Sequence, residues 1–163
     1  MDKNNNMQLV EYVKSKIGVP YLYGAKMETI TRDKFDMLKK LYGRLVWDTD
    51  AAKIGKVCVD CSGLISSFTG VVRGSSQFKE AAKQVNPINT IASAPVGALV
   101  WMQGHIGVYI GNGEYIAADG SAYGTRKGKL PNKFTHWFLC SDIEYKSALE
   151  SPAASARAGG ASA

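Results

Sequence analysis

The feature that most restricts the fold of this chain is a change of hydrophobic period part-way along it. In the first half the apolar residues recur at helical spacing; from residue 97 they alternate. Residues 7–17 put Leu9, Val10, Val13 and Ile17 on one stripe, which Gly18 and Pro20 stop. Residues 19–24 then read as an extended segment. Residues 32–42 form a second helical pattern, capped by Thr31 and ended by Gly43, with Phe35, Leu38, Leu41 and Tyr42 facing inward. Residues 44–58 show no period. Asp60 is a good N-cap for residues 61–68, where Cys61, Leu64, Ile65 and Phe68 share a face. Residues 76–85 carry Phe78, Ala81, Ala82 and Val85 at helical spacing, and Asn86-Pro87 ends them. Alternation then predicts strands over 97–102, 105–110, 114–118 and 134–140, with Gly111-Asn112-Gly113 as a hairpin turn. Helices first and antiparallel strands second is the α+β order.

The 163 residues allow one domain with a hydrophobic core of its own, placed at 1–150. Residues 151–163 (SPAASARAGGASA) are too small and polar to pack, and read as a disordered tail or an expression remnant. No apolar run reaches the ~18 residues of a membrane span. The polar start, Met1-Asp-Lys-Asn-Asn-Asn, shows no signal peptide. Twenty Lys and Arg against fourteen Asp and Glu leave a formal charge of +6, which suits an anionic partner or simply aids solubility. No nucleic-acid recognition motif accompanies it, and the basic stretch 126–133 reads as a solvated loop.

Three cysteines, an odd number, argue against a disulfide framework. Cys58-Val59-Asp60-Cys61 has several readings: a redox pair, half of a zinc site, two buried thiols, or a nucleophile at Cys61 alone. The last is favoured by position. Cys61 directly follows the N-cap, where unpaired N–H groups and the helix dipole stabilise a thiolate and an oxyanion. Gly63 leaves the sulfur uncrowded. A base is then needed, and the chain has two histidines. His105 opens a strand on which His105, Gly107 and Tyr109 share a face that suits an open cleft. His136 lies in an apolar strand and reads as a hydrogen-bonded packing residue.

Val59-Asp60-Cys61-Ser62-Gly63-Leu64-Ile65 and His105-Ile106-Gly107-Val108-Tyr109-Ile110-Gly111-Asn112-Gly113 resemble the signature segments of the NlpC family of cell-wall cysteine peptidases. Gly18-Val19-Pro20-Tyr21-Leu22-Tyr23-Gly24 resembles a third segment of that family, and the three come in the family's order. Tyr123-Gly124, Lys129-Leu130 and Thr135-His136-Trp137 resemble its phage or mobile-element branch. The resemblance implies a papain-like α+β fold. It also implies hydrolysis of peptidoglycan stem peptides, commonly between γ-D-glutamate and the diamino acid, on a cell wall outside the cell. Carried over by position, Cys61 is the nucleophile and His105 the base. Tyr21, Asp60 and Ser62 shape the pocket for the substrate's N-terminal side, where Asp60 would meet a free ammonium. No metal or organic cofactor is implied.

Two departures from the family pattern stand out. The position expected to orient the histidine, on the neighbouring strand, is Ala117, which cannot do so. Asp119, two residues on and on the same face, could take over through a bulge; a backbone carbonyl, a water or His136 are the alternatives. In addition, 36 residues separate Gly24 from Cys61, and 25–57 reads as an insertion beside the cleft. The same scaffold could serve an amidase, a cross-link endopeptidase or an acyl transferase. A wall-binding module with a weakened Cys–His pair is the non-enzymatic alternative.

Overall fold

The computed structural model describes residues 4–147; the expected tail at 151–163 lies outside them. Four helices occupy Asn6–Ser15 (α1), Arg32–Tyr42 (α2), Cys61–Thr69 (α3) and Ser75–Ala81 (α4). Two short strands, Lys26–Thr29 (β1) and Val57–Val59 (β2), pair antiparallel. Six more follow: Val85–Pro87 (β3), Leu99–Met102 (β4), His105–Gly111 (β5), Glu114–Ala118 (β6), Thr125–Lys129 (β7) and His136–Phe138 (β8). They form one antiparallel sheet in the order β3-β8-β4-β5-β6-β7.

Alternation sorts the sheet residues onto two faces. Ile106, Val108, Ile116, Leu99 and Phe138 join Leu9 and Val13 of α1 and Leu64 and Ile65 of α3 in the main core. Burial of this apolar stripe, rather than helix propensity, holds α3 against β5. The opposite face carries Val100, Tyr109, Tyr115, Ala117, Phe134 and Trp137 as a second core. The expected open face of His105, Gly107 and Tyr109 is therefore closed over most of its length: Gly107 and Tyr109 are buried, and only the His105 end reaches the surface. Gly107 leaves room for this packing, since a Cβ there would stand 3.0 Å from that of Ala117.

A third cluster, Leu22, Ala25, Ile30, Phe35, Leu38, Val46 and Cys58, lies under residues 25–57. This segment is ordered around α2 and two 3₁₀ turns, Gly43–Leu45 and Asp48–Lys53. Phe35 and Leu38 face inward as expected, but Leu41 is 65% exposed and Tyr42 lies at the surface against Tyr23. Ile17 falls beyond the end of α1 and is exposed. The helix expected over 76–85 stops at Ala81, because Val85–Pro87 pairs with β8 instead. The stretch 125–129 is strand β7 rather than a loop. It pairs with β6 along its length, from Ala118↔Thr125 to Glu114↔Lys129. Its lysines face solvent at the sheet edge, where charge discourages pairing with another chain.

Candidate active site

Cys61 is the first residue of α3. Asp60 caps the helix, its side chain accepting from the Gly63 N–H at 2.6 Å. The cap fixes where the chain turns from β2 into α3 and aims the sulfur at the start of β5. Backbone N–H groups of Ile106 and Ser62 face that sulfur and favour its anionic form. Ile106 is the neighbour of His105, so Cys61 lies toward the His105 end of β5, where the start of α3 packs on the sheet.

His105 is held on two sides. Its Nε2 lies 2.8 Å from Asp119 Oδ1. Its ring stacks on Phe134, with centroids 5.5 Å apart and planes 15° from parallel. Sheet register explains how Asp119 arrives. The turn pairs Gly111 with Glu114; a bulge then leaves Ile110 as an extra residue, and Tyr109 faces Tyr115 and Val108 faces Ile116. Continued along the strands, this offset sets His105 opposite Asp119. Without the bulge His105 would face Gly120. Ala117 instead stands on the buried part of the same face, beside Gly107. His136 is occupied elsewhere: its Nδ1 bonds the Thr135 hydroxyl at 2.8 Å and its ring abuts Trp101.

The Asp119 side chain is fully buried and accepts from three further donors. These are the Tyr115 hydroxyl at 2.9 Å, Arg126 Nε at 2.9 Å and Lys133 Nζ at 3.0 Å. Burial alone would raise its carboxyl, but the donors, His105 foremost, outweigh it and hold Asp119 well below the usual carboxylate range. Arg126 and Lys133 belong to the stretch expected to be solvated.

Cys61 goes the other way. Burial, and then the Asp60 charge, push its thiol up to about 11, against the two backbone donors. The helix terminus favours a thiolate, as the sequence suggests, but burial works against it. Cys58 is buried in the cluster under 25–57, whereas Cys61 belongs to the main core, so the two thiols of the C-x-x-C face different surroundings. Burial raises Cys58 as well.

Tyr21 is buried beside Cys61 and Asp60, and its phenol is pushed up by burial and by those two neighbours. Ser62 is buried at the same end of α3. Asp60 is ion-paired with Lys26, whose Nζ reaches both carboxylate oxygens, at 2.9 and 2.8 Å, and Ser62 Oγ at 3.2 Å. Residues 25–57 thus enter the site directly through Lys26. They also tie its two sides together, since Lys53 Nζ donates to the carbonyls of Tyr21 and Ser121 while Asp50 accepts from the Ser121 hydroxyl. Lys26, Arg126, Lys133 and Phe134 were not marked as site residues by any sequence signal; Tyr115 had one, sharing the period-two face of Asp119.

A helix-borne cysteine against an antiparallel sheet, with a strand histidine and a carboxylate beside it, defines a papain-like thiol domain. The NlpC/P60 family model matches residues 18–141, and the chain belongs to that family. Among solved structures, the peptidoglycan hydrolase RipB from Mycobacterium tuberculosis is 29% identical. It matches over 86% of this chain and 67% of its own, with a TM-score of 0.56. The P60 domain of an antigen from M. avium subspecies paratuberculosis is 25% identical over 86% of this chain and 98% of its own, at a TM-score of 0.56. RipD from M. tuberculosis, described as a non-catalytic NlpC/p60 domain protein adapted to peptidoglycan binding, shares the fold at 19% identity, covering 82% and 95% at a TM-score of 0.53. A search of curated proteins found no match.

Proposed function

We propose that this protein is a cell-wall hydrolase, a cysteine endopeptidase that cuts peptidoglycan stem peptides at the γ-D-glutamyl–diamino acid bond. The observation that carries the reading is the Asp119–His105 contact at the end of β5, the strand on which α3 and its first residue, Cys61, pack. Membership of the NlpC/P60 family and likeness to RipB, a peptidoglycan hydrolase, support the substrate class.

In this reading the proton steps follow from the Asp119–His105 contact. Asp119 occupies His105 Nε2, which leaves Nδ1 to exchange a proton with the thiol. Burial favours the proton on Cys61, and in this reading it passes to Nδ1 as the sulfur attacks the amide carbonyl. The oxyanion that forms takes hydrogen bonds from backbone N–H groups at the start of α3. His105 then protonates the leaving amine, and the C–N bond breaks to give a thioester on Cys61. Water attacks the thioester, gives a proton to Nδ1, and the thiol is restored with release of the carboxylate product. Buried Asp119 keeps the imidazole oriented and stabilises its cationic form without taking up the proton itself. Tyr21, Asp60 and Ser62 line the side that receives the substrate's N-terminal part.

The net charge of +6 favours residence on an anionic wall, with a salt-sensitive affinity. No helix among the described residues is long and apolar enough to cross a membrane. The site of action in this reading is the wall, outside the cell. The Asp119–His105 contact supports the enzyme reading over the binding-module alternative, which Ala117 had motivated.

Mass spectrometry of peptidoglycan and stem peptides after incubation tests the reading, with Cys61→Ala and His105→Ala as controls. Products ending at γ-D-glutamate that vanish in both variants are expected. Products with other termini would assign the scaffold to an amidase or a cross-link endopeptidase, and products joined to an added amine to an acyl transferase. Absence of any cut in every wall type would refute hydrolysis.

A further inference from the structure

The mechanism above uses Cys61, His105 and Asp119 but leaves a charged pair beside the nucleophile unexplained. Lys26 and Asp60 are not loosely apposed. Lys26 lies opposite Val59, one residue before Asp60, and the register of β1 shifts directly after it. The shift places Met27 in the left-handed region, at φ 65°, a conformation uncommon for a residue with a long side chain. Such a bulge re-aims side chains, here sending Lys26 toward α3. On the other side Gly63 makes room. A Cβ there would stand 2.6 Å from Asp60 Oδ1 and 3.0 Å from Lys26 Cδ.

The pair is also chemically complete. An ionised carboxylate has about four acceptor positions. Asp60 fills them with the Gly63 N–H, the Gly24 N–H at 3.2 Å and two bonds from Lys26. The Lys26 ammonium has three donors, two spent on Asp60 and one on Ser62 Oγ. A positively charged group reaching Asp60 finds its acceptor positions taken, and it meets a lysine whose side chain is one-third exposed. A neutral amide or acyl group meets neither penalty.

We infer that Lys26 sets the substrate class of this site: it supplies from within the chain the cation that Asp60 would otherwise take from the substrate. Stem peptides whose N-terminal amine is acylated, as in uncut wall, are accepted. Peptides that carry a free N-terminal ammonium are disfavoured. This rests on the reading above that Tyr21, Asp60 and Ser62 receive the substrate's N-terminal side.

The test is calorimetric titration of the Cys61→Ala protein with matched peptides. They are L-Ala-γ-D-Glu-diamino acid-D-Ala and its N-acetyl form, with diaminopimelate or lysine in third position. The acetylated peptide should bind tighter by about tenfold or more, since like charges face each other in the free-amine complex. Adding Lys26→Met should close that gap, chiefly by gain of affinity for the free amine. Equal or tighter binding of the free-amine peptide with Lys26 in place would overturn the inference, as would no binding of either. Cleavage by the unsubstituted protein, followed in parallel, separates the two readings. Discrimination in binding without cleavage refutes the peptidase and leaves Lys26 in its role. Cleavage of both peptides with equal kcat/KM refutes the role of Lys26 and leaves the peptidase.

Discussion

Replacing Asp119 by alanine removes one carboxylate from four donors, and the structure says which of them suffer. Arg126 and Lys133 are 41% and 34% exposed, so both return to water at little cost. The Tyr115 hydroxyl and His105 Nε2 are much less accessible, and each loses a charge-assisted bond worth about 1–3 kcal/mol. Tyr115 retains one partner, since Asn132 Nδ2 donates to its oxygen at 2.9 Å, so its loss falls at the lower end. A total of about 3 kcal/mol follows, at the lower edge of what breaking a buried ion pair costs. For a chain of this size that lowers Tm by about 6–12 °C. The acid limb of stability should change too. The folded Asp119 titrates below its unfolded value, so it stabilises the protein above about pH 4, and that contribution is lost as pH falls further. Calorimetric melting from pH 3 to 8 should therefore show a Tm gap between wild type and Asp119→Ala that is widest at neutral pH and narrows in acid. In the peptidase reading kcat falls as well, by about 100-fold or more, because the imidazole loses its orienting acceptor. A Tm unchanged within ~2 °C, or a gap that does not narrow in acid, would refute the reasoning that these donors hold a buried anion.

Two further outcomes follow from the site. Alkylation of Cys61 by iodoacetamide, followed by peptide mapping, should accelerate about tenfold per pH unit from pH 7 upward and level off only near the thiol value of about 11; Asp60→Asn should shift the profile to lower pH, and fast labelling that levels off below pH 8 would contradict the assigned burial. Gly128→Ala should lower stability by about 1–3 kcal/mol, read by denaturant unfolding, because its Cβ would stand 2.7 Å from the buried Tyr115 ring and hydroxyl; a neutral substitution would contradict that packing.

Much of this architecture is written in local pattern. The Asp60 cap, the Gly111-Asn112-Gly113 turn and the switch of hydrophobic period each act over a few residues, and each stands where the sequence places it. Asp119 was legible as a same-face neighbour, but its partner depends on one extra residue, Ile110, and a strand's register is a property of two strands together. Strand β7 was hidden because its inward position opposite Tyr115 is Gly128, chosen for space rather than hydrophobicity. The over-long helix at 76–85 shows pairing with β8 overriding helical spacing. Lys26 and Asp60 are 34 residues apart and carry no shared motif, so only the bulge in β1 reveals the pair. The thiol illustrates a balance of terms: the helix terminus is visible in sequence, while the burial that outweighs it belongs to the folded core.

The central claim is that Cys61 carries the acyl group during cleavage. Rapid acid quenching of a single turnover with an N-acetylated stem peptide, followed by intact and peptide-level mass spectrometry, tests it most directly. The account predicts a transient thioester on Cys61 whose mass equals that of the portion ending at γ-D-glutamate, formed at a rate that falls in Asp119→Ala and absent in Cys61→Ala. Cleavage that proceeds in Cys61→Ala, or an adduct on Cys58 or Cys140 instead, would contradict it.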